Sequence, residues 1–267
     1  MQKLGVIGGG AMGAGIISGL IAKEYFSPRQ VFLVEPDRSK HDYFRETLRI
    51  HIKDSLAELA DSCDTFLLAV KPHIMPVVAR ELSPFLKPDH LLVSIAAGVS
   101  LQSLAEWFHD ARIIRVMPNT PLRVGRGVSV YCPGEKATPA DAEGVAKLFG
   151  ALGRIIRIPE NLFDAATAVS GSGPAYVFYL MEAMIDSGVM LGLGRNDAAM
   201  MVAETFAGAV EMMLQTGEHP AKLRNDVTSP GGTTAAALFE MEKNAVSGGI
   251  MCALTAAAER SRELGKK

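Results

Sequence analysis

Residues 4–13 read Leu4-Gly5-Val6-Ile7-Gly8-Gly9-Gly10-Ala11-Met12-Gly13, and this stretch decides the fold. It places a complete G-x-G-x-x-G pattern directly after an apolar run. A helical pattern follows, and a second apolar run, Val31–Val34, ends at the acidic residue Glu35. Strand, glycine-rich turn, helix, strand and acid in this order form the fingerprint of a dinucleotide-binding βαβ unit. The sequence therefore predicts that NAD(H) or NADP(H) binds here.

Each glycine of the pattern has a separate predicted role. Gly8 allows the tight turn that leaves the strand, and Gly10 lets the backbone approach the pyrophosphate. Gly13 allows the helix to pack closely on the strand, and the first N–H groups of that helix face the phosphates. A turn without a ligand is the weaker alternative, because the motif follows a strand, opens a helix and lies upstream of Glu35. The predicted contacts in this loop are Ile7, Gly8, Gly10, Ala11, Met12 and Gly13.

The segment after the second strand leaves the type of cofactor open. Glu35 is placed to accept a hydrogen bond from the ribose 2′-OH, which favours NAD. Arg38, Ser39 and Lys40 follow, and they offer donors to the 2′-phosphate of NADP. The two basic residues fit a solvated helix start equally well. Glu35 and Arg38 are the cofactor contacts predicted in this segment.

Short apolar runs alternate with helical patterns over the first 160 residues. The further predicted strands are 66–70, 91–95, 113–116, 128–131 and 155–158, and the predicted helices include 11–22, 74–85 and 140–151. Continuously apolar runs are typical of strands buried on both faces of a parallel sheet. The expected fold class is α/β, with a Rossmann-like doubly wound sheet in a domain of residues 1–160.

Residues 161–267 lack strand patterns and predict an all-helical C-terminal domain. Its predicted helices are 174–191, 197–215, 232–242 and 245–264, and their apolar residues cover most of each helix circumference. Such helices need neighbours on several sides. Because so short a domain offers few neighbours of its own, an oligomer is expected, in which a second subunit supplies some of them.

Ligands of open α/β sheets lie beyond the carboxyl ends of the strands. Ala96 and Ala97 follow one predicted strand and leave room for the nicotinamide ribose, while Lys71 and Asn119 follow two others and offer hydrogen bonds. A surface lysine and a turn asparagine are the structural alternatives. The cofactor contacts predicted at these strand ends are Ala69, Val70, Lys71, Pro72, Ala96, Ala97 and Asn119.

Charge and cysteine content exclude several classes of protein. The 267 residues carry 27 basic and 29 acidic side chains, a net charge of −2, which gives no general attraction to nucleic acid or to an anionic membrane. No apolar run reaches the length of a membrane span. The cysteines at 63, 132 and 252 form no Cys-x-x-Cys pair, so neither a disulfide framework nor a metal site is expected. A cytoplasmic protein with reduced thiols, and with no nucleic-acid or membrane partner, is predicted.

Two loops of the helical half are unusual. Ser170-Gly171-Ser172-Gly173-Pro174 lacks the glycine spacing of a nucleophilic serine, so we expect it to cap the following helix and to pass close to a ligand. Asp226-Val227-Thr228-Ser229-Pro230-Gly231-Gly232-Thr233-Thr234 combines two glycines with four hydroxyl side chains at a helix start. One hydroxyl is enough for a cap, so the pattern favours a cradle for a carboxylate or phosphate.

No general base for oxidation of a hydroxyl is evident. The six histidines lie outside the glycine-rich loops. Hydroxyacid dehydrogenases of the 6-phosphogluconate type carry a lysine and an asparagine on the helix where Val177 and Met181 stand here. A protonated imine, by contrast, has an electrophilic carbon and accepts hydride without a strong acid or base. The absence of a base is therefore compatible with a substrate that is already a protonated imine.

Together these motifs resemble those of pyrroline-5-carboxylate reductases, over essentially the whole chain. The resemblance rests on residues 8–13, 69–72, 94–98, 117–121, 170–176 and 217–220 and, as the most specific motif, on residues 227–234. It implies an oxidoreductase that reduces 1-pyrroline-5-carboxylate to L-proline, the last step of proline biosynthesis. NADP(H) is the implied cofactor, and acceptance of NAD(H) is left open.

The resemblance also implies a substrate site in the helical half. The substrate carboxylate would sit on the backbone amides around Gly232, Thr233 and Thr234, with help from Ser229. The Thr234 hydroxyl would contact the ring nitrogen as the catalytic group, and Glu218 matches a family position near the substrate. A homodimer with interlocked helical domains is implied, and a ring of dimers is left open as a larger assembly.

Two departures from the family pattern affect the cofactor pocket. The family commonly has an asparagine after the third strand, where this chain shows Ser55-Leu56, and Glu35 replaces an uncharged residue. The second departure favours use of NADH. Two other functions remain open: a hydroxyacid dehydrogenase, which the missing helix lysine disfavours, and a non-catalytic dinucleotide sensor, which leaves the loop at 228–234 unexplained.

Overall fold

The computed structural model describes residues 1–265 of the chain. Within them one sheet has the strand order β3-β2-β1-β4-β5-β6-β7-β8. Its strands are β1 (Leu4–Ile7), β2 (Val31–Val34), β3 (His51–Ile52), β4 (Thr65–Leu68), β5 (Leu91–Ser94), β6 (Arg112–Met117), β7 (Gly127–Pro133) and β8 (Gly153–Arg157). Neighbouring strands are parallel except β6 and β7, which are antiparallel. The carboxyl ends of β1, β2, β4, β5 and β6 therefore share one edge of the sheet.

The helices fall into two series. Between and after the strands lie α1 (Ala11–Ala22), α2 (Leu56–Ser62), α3 (Met75–Leu82), α4 (Leu101–Trp107) and α5 (Pro139–Gly150). Beyond the last strand follow α6 (Phe163–Ala166), α7 (Gly173–Met190), α8 (Arg195–Thr216), α9 (Pro220–Asp226), α10 (Thr233–Lys243) and α11 (Val246–Leu264). A π-helical turn, Thr167–Gly171, joins α6 to α7.

Alternate residues of the central strands pack into two separate cores, one on each face of the sheet. Val6 and Leu67 belong to the core that includes Phe149. Ile7 and Leu68 belong to the other core, which includes Phe108. Because side chains alternate between the faces of a strand, a run without polar residues can fill both cores. The predicted doubly wound α/β fold is confirmed.

Several elements were not predicted because their patterns are short or interrupted. β3 has two residues, and α2, α4 and α9 have seven each. The helix predicted over 74–85 is shorter, because 3₁₀ turns flank α3 at Pro72–Ile74 and at Ser83–Phe85. Each turn contains a proline near its start, and a proline has no N–H for a helical bond. No strand follows Arg157 among the described residues, as predicted.

The chain forms two compact units. The first comprises Met1–Ser172 together with the chain from Ala257 onward, and the second comprises Gly173–Ala256. The domain boundary predicted after residue 160 stays a prediction. Asp164 lies in the first unit, where its Oδ1 accepts a hydrogen bond of 2.7 Å from Ser261 Oγ. This bond is one of the contacts that join the end of α11 to the first unit.

The structure contains three free cysteines, Cys63, Cys132 and Cys252. Burial raises the pKa of the Cys63 thiol to about 12, and it also raises the pKa of Cys132. Within residues 1–265 no group of three or more His, Cys, Asp or Glu side chains is arranged to hold a metal ion. None of the described helices combines the length and the hydropathy that a bilayer crossing requires.

Candidate active site

The glycine-rich loop has the geometry that a pyrophosphate site needs. Gly8 has φ +100°, in the region that favours glycine, and its N–H donates to the carbonyl oxygen of Val34 at 3.0 Å. A Cβ on Gly8 would lie 2.8 Å from the carbonyl oxygen of Ala69. A Cβ on Gly13 would collide with the carbonyl oxygen of Gly8. Two of the three motif glycines are thus required by the protein's own packing.

Gly10 differs from the other two because no heavy atom lies within 4 Å of where its Cβ would be. Gly10 is exposed and begins α1 without a side-chain cap. The first helical bond runs from the Ala14 N–H to the Gly10 carbonyl at 2.8 Å. The N–H groups of Ala11, Met12 and Gly13 therefore precede any intrahelical bond. The open space at Gly10, next to backbone N–H groups that have no partner within the helix, suits a bound anion.

The carboxylate of Glu35 is bound within the protein. Its Oε2 accepts from the Gly9 N–H at 2.7 Å and its Oε1 from the Asp37 N–H at 2.9 Å. Lys40 Nζ lies 3.7 Å from Oε1, and the Glu35 side chain is only 8% exposed. The residue thereby anchors the glycine-rich loop to the end of β2. The predicted contact between Glu35 and the ribose stays a prediction.

A cleft of about 570 Å³ lies beyond the carboxyl end of β2. Arg38, His41 and Lys53 line it, and they bring positive or titratable groups from three positions of the chain. Arg38 is exposed, while His41 Nε2 lies 2.7 Å from the Glu35 carbonyl oxygen. Ser55 also lines this cleft, and its Oγ caps α2 by accepting from the Glu58 N–H at 3.2 Å.

The predicted residues after β4 and β5 lie at the same sheet edge as the glycine-rich loop. Lys71, Pro72 and Ala97 are exposed, whereas Ala96 is buried. Ala69 N–H donates to the carbonyl oxygen of Ile7 at 2.9 Å, which ties this edge to β1. Small and exposed groups along one edge leave room for an extended ligand. Their contacts with a cofactor stay predictions.

Asn119 follows β6 and is only 7% exposed. Its Oδ1 accepts from the Val128 N–H at 2.8 Å, and its Nδ2 donates to the Ser170 carbonyl at 3.0 Å. The side-chain amide is therefore engaged within the first unit. A cofactor contact by Asn119 stays a prediction.

The second unit contains the hydroxyl-rich loop before α10. Gly232 is the N-cap residue of α10, and no side chain caps this helix. A plain capping role for the hydroxyls is therefore wrong. Gly231 has φ +68°, and the first helical bond runs from the Ala236 N–H to the Gly232 carbonyl. The N–H groups of Thr233 and Thr234 thus precede any intrahelical bond and are free to bind an anion.

The hydroxyls of this loop differ in their partners. Thr228 Oγ1 donates to the Arg224 carbonyl at 2.6 Å and thereby ends α9. Ser229 and Thr233 are exposed, and Thr234 is half-buried. A Cβ on Gly232 would collide with Ser229 Oγ, so glycine is needed for the hydroxyl to lie against the backbone. The Gly232 N–H donates to the Ser229 carbonyl at 3.0 Å, which places Ser229 beside the start of α10.

Glu218 lies in the turn between α8 and α9. Gly217 has φ +66° and ends α8, and the Glu218 N–H donates to Thr216 Oγ1 at 3.2 Å. Lys222 Nζ lies 3.7 Å from Glu218 Oε1 and 3.0 Å from Asp226 Oδ2. The Asp226 carboxylate raises the pKa of Lys222, with a smaller contribution from Glu218.

The capping role expected for Ser170-Gly171-Ser172-Gly173-Pro174 is wrong. The chain enters α7 from the π-helical turn, in which the Ser172 N–H donates to the Thr167 carbonyl at 2.8 Å. Ser170 Oγ donates back to the Ala166 carbonyl at 2.8 Å. Helical structure before α7 thus removes the need for a cap.

Sequence reasoning missed two residues of the glycine-rich loop and the neighbouring cleft. Lys53 lines the cleft and follows β3, and Gly9 supplies the amide that Glu35 binds. β3 is too short to produce an apolar run, so the position of Lys53 had no detectable signal. Gly9 is a variable position of the G-x-G-x-x-G pattern. A Cβ there would collide with the ring of Phe44, 2.7 Å away, which explains the glycine.

Comparison with known proteins identifies both halves of the chain. A family model described as pyrroline-5-carboxylate reductase dimerisation matches residues 160–264. A second, described as NADP oxidoreductase coenzyme F420-dependent, matches residues 3–98. The pyrroline-5-carboxylate reductase of Synechocystis sp. is 41% identical over 265 residues, which cover 99% of each chain. The enzyme of Arabidopsis thaliana is 42% identical over 99% of this chain and 96% of its own.

A solved structure extends this similarity to three dimensions. The pyrroline carboxylate reductase of Plasmodium falciparum, determined with NADP bound, has a TM-score of 0.91 and 36% sequence identity. The match covers 98% of both chains. Identity at this level over nearly the full length is accompanied here by the same two-part architecture. The chain belongs to the pyrroline-5-carboxylate reductase family.

Proposed function

We propose that this protein reduces 1-pyrroline-5-carboxylate to L-proline with NADPH, and that it also accepts NADH. Full-length similarity to pyrroline-5-carboxylate reductases carries the proposal. The reduced nicotinamide supplies a hydride, which adds to C5 of the imine while the ring nitrogen keeps its proton. The chain itself contributes binding and orientation of the reactants.

The cofactor side of the proposal rests on the glycine-rich loop and the basic cleft. The open space at Gly10 and the free N–H groups at the start of α1 would receive the pyrophosphate. Arg38 and Lys53 line the cleft beyond β2 and would pair with the 2′-phosphate of NADPH. Glu35 opposes that phosphate by like charge and would accept the 2′-OH of NADH. Because the basic residues favour NADPH and Glu35 favours NADH, we expect the protein to use both cofactors.

The substrate side rests on the start of α10. The N–H groups of Thr233 and Thr234 would bind the substrate carboxylate, and the Ser229 hydroxyl would add a third donor. The Thr234 hydroxyl would contact the ring nitrogen as the catalytic group. Glu218 lies in a loop of the same unit, and we assign it to the substrate pocket by its match to the family motif.

We extend the proposal to a homodimer whose helical domains, residues 161–267, interlock, and to rings of such dimers. Phe178, Tyr179 and Met201 of the second unit are large apolar side chains exposed in the single chain. A partner subunit would cover them. The free cysteines fit a reducing compartment, so we place the activity in the cytoplasm.

The test follows the oxidation of NADPH and NADH by the purified protein with 1-pyrroline-5-carboxylate and with a panel of keto acids. We expect turnover with the imine and with both cofactors. Turnover of a keto acid alone would replace the proposal with a hydroxyacid dehydrogenase. If no substrate is turned over, the remaining function is that of a non-catalytic dinucleotide sensor.

Thr234→Val sharpens this test because it removes the hydroxyl and keeps the shape. We expect kcat/KM for the imine to fall roughly a hundredfold, the loss typical of removing one donor from a reacting group. NADPH binding should stay within about twofold of the parent protein, since the cofactor residues are untouched. Thr205→Val is the matched control, because the Thr205 hydroxyl donates to the Met201 carbonyl within α8. Full activity of Thr234→Val would remove the proposed catalytic role.

A further inference from the structure

The Asn119 side chain replaces two missing backbone partners. Antiparallel pairing aligns Met117 of β6 with Val130 of β7, so continued pairing would bring residue 119 opposite Val128. β6 ends at Met117, and Pro118 follows. The Val128 N–H donates instead to Asn119 Oδ1 at 2.8 Å. The Asn119 side chain thus supplies the acceptor for Val128 beyond the point where β6 has ended.

The second partner is the carbonyl of Ser170. In a continuous α-helix this carbonyl would accept from the N–H of residue 174, which is a proline and has none. Asn119 Nδ2 supplies the missing donor at 3.0 Å. This part-buried bond takes the place of the absent helical one. Ser170 lies two residues before the first compact unit ends at Ser172.

We propose that Asn119 is a positioning residue for hydride transfer, a proposal that rests on the proposed function. Its amide joins the carboxyl end of β6, at the cofactor edge, to the π-helical turn from which the chain leaves the first unit. The amide therefore ties the strand end to the π-helical turn within the first unit. Since hydride transfer depends on small differences in the distance between donor and acceptor, this tie acts on the rate of the chemical step.

A direct contact between Asn119 and the cofactor predicts a different result. Loss of such a contact would weaken cofactor binding and raise the KM for NADPH. Loss of a positioning bond leaves the binding surfaces intact and lowers kcat. The division of the effect between kcat and KM therefore separates the two roles.

Asn119→Asp is the sharpest variant because it keeps an acceptor for Val128 and removes the donor to Ser170. We expect kcat with the imine to fall about 100-fold, the cost of a small misplacement of reacting groups. The KM for NADPH should change less than about threefold. Asn119→Ser, which is uncharged and too short for either bond, should show the same division and covers the case in which the aspartate variant does not fold.

Pro174→Ala provides a rescue, because it restores an N–H four residues beyond Ser170. Combined with Asn119→Asp or Asn119→Ser, it should recover at least about tenfold in kcat by donating to the orphaned carbonyl. A cofactor contact would not be restored in this way. An unchanged kcat, a rise confined to the KM for NADPH, or the absence of rescue would overturn the positioning role.

Hydrogen exchange provides a readout that does not depend on turnover. In Asn119→Asp the amides of residues 167–172 should exchange at least about tenfold faster than in the parent protein, and Pro174→Ala should slow them again. Failure of the proposed function would appear as absence of imine reduction by the parent protein. Failure of the positioning role would appear as unchanged exchange in the variant.

Discussion

The two compact units contain similar kinds of residues but bury them differently. In Met1–Ser172 the large apolar side chains form two cores, one on each face of the sheet. In Gly173–Ala256, within the described chain, Ala198 and Val202 are the buried hydrophobic residues. The first unit thus satisfies its hydrophobic pattern within one chain. The second does not, which indicates that its helices pack against a second copy.

The difference between the two units is tested by placing a charge on an exposed apolar position of each unit. Phe178 of α7 is 66% exposed and Val77 of α3 is 44% exposed. We expect Phe178→Asp to dissociate the dimer and to cost about 3–6 kcal/mol, because each substitution acts twice in a symmetric interface. Val77→Asp should change stability by less than about 1 kcal/mol. Sedimentation and urea unfolding measure both effects.

Phe178→Asp and Val77→Asp serve as controls for each other. A dimer that persists in Phe178→Asp would show that α7 faces solvent in the assembly. Dissociation by Val77→Asp would move the interface to the first unit. Either outcome would reverse the assignment of the unburied helices to the partner subunit.

The next test compares two glycines of the glycine-rich loop: Gly13, which is packed against the protein, and Gly10, which is not. Gly13→Ala places a methyl group against the Gly8 carbonyl, so we expect a loss of about 1–3 kcal/mol in the free energy of unfolding. Gly10→Ala meets no protein atom and has φ −67° and ψ 178°, which alanine adopts readily. It should keep the parent stability within about 1 kcal/mol and weaken NADPH binding roughly tenfold. Urea unfolding and nucleotide fluorescence titration separate these outcomes.

Normal NADPH binding by Gly10→Ala would contradict the assignment of the pyrophosphate to the open space. Unchanged stability of Gly13→Ala would show that the loop relaxes around the new methyl group. The comparison therefore distinguishes a glycine that the fold requires from one that the ligand requires.

The sequence predicted the elements whose pattern is local and repeated. β1, β2 and α1 begin and end where their apolar runs and glycines indicate. The family was also identified from motifs alone, since each motif combines residue types at fixed spacing. The sequence could not reveal which polar side chains are already engaged within the protein. Glu35 binds the Gly9 amide, and this bond depends on a tertiary approach that spacing does not encode.

Asn119, which follows β6, is a second polar side chain whose hydrogen bonds within the protein the sequence could not reveal. Its position after a strand predicted a ligand contact, whereas the fold gives it two backbone partners at 2.8 and 3.0 Å. One of those partners, Ser170, is remote in sequence. β6 stops before Pro118 and leaves the Val128 N–H without a strand acceptor, while Pro174 has no N–H for the Ser170 carbonyl. In hindsight, these two prolines are the signal that a side chain must replace the backbone.

A threonine caps a helix start in the first unit but not in the second. The smallest expected effect is the resulting difference in the free energy of unfolding between the two threonine variants. Thr138 caps α5: its Oγ1 accepts from the Asp141 N–H at 3.1 Å, and Asp141 Oδ2 accepts from the Thr138 N–H at 2.8 Å. Thr138→Ala should lower the free energy of unfolding by about 1 kcal/mol and leave imine reduction unchanged. Thr234 caps nothing, because α10 begins without a side-chain cap. Thr234→Val should leave the unfolding free energy within about 0.5 kcal/mol while activity falls. If instead Thr234→Val unfolds more readily than Thr138→Ala, the α10 hydroxyl supports the fold, and its proposed contact with the ring nitrogen loses support.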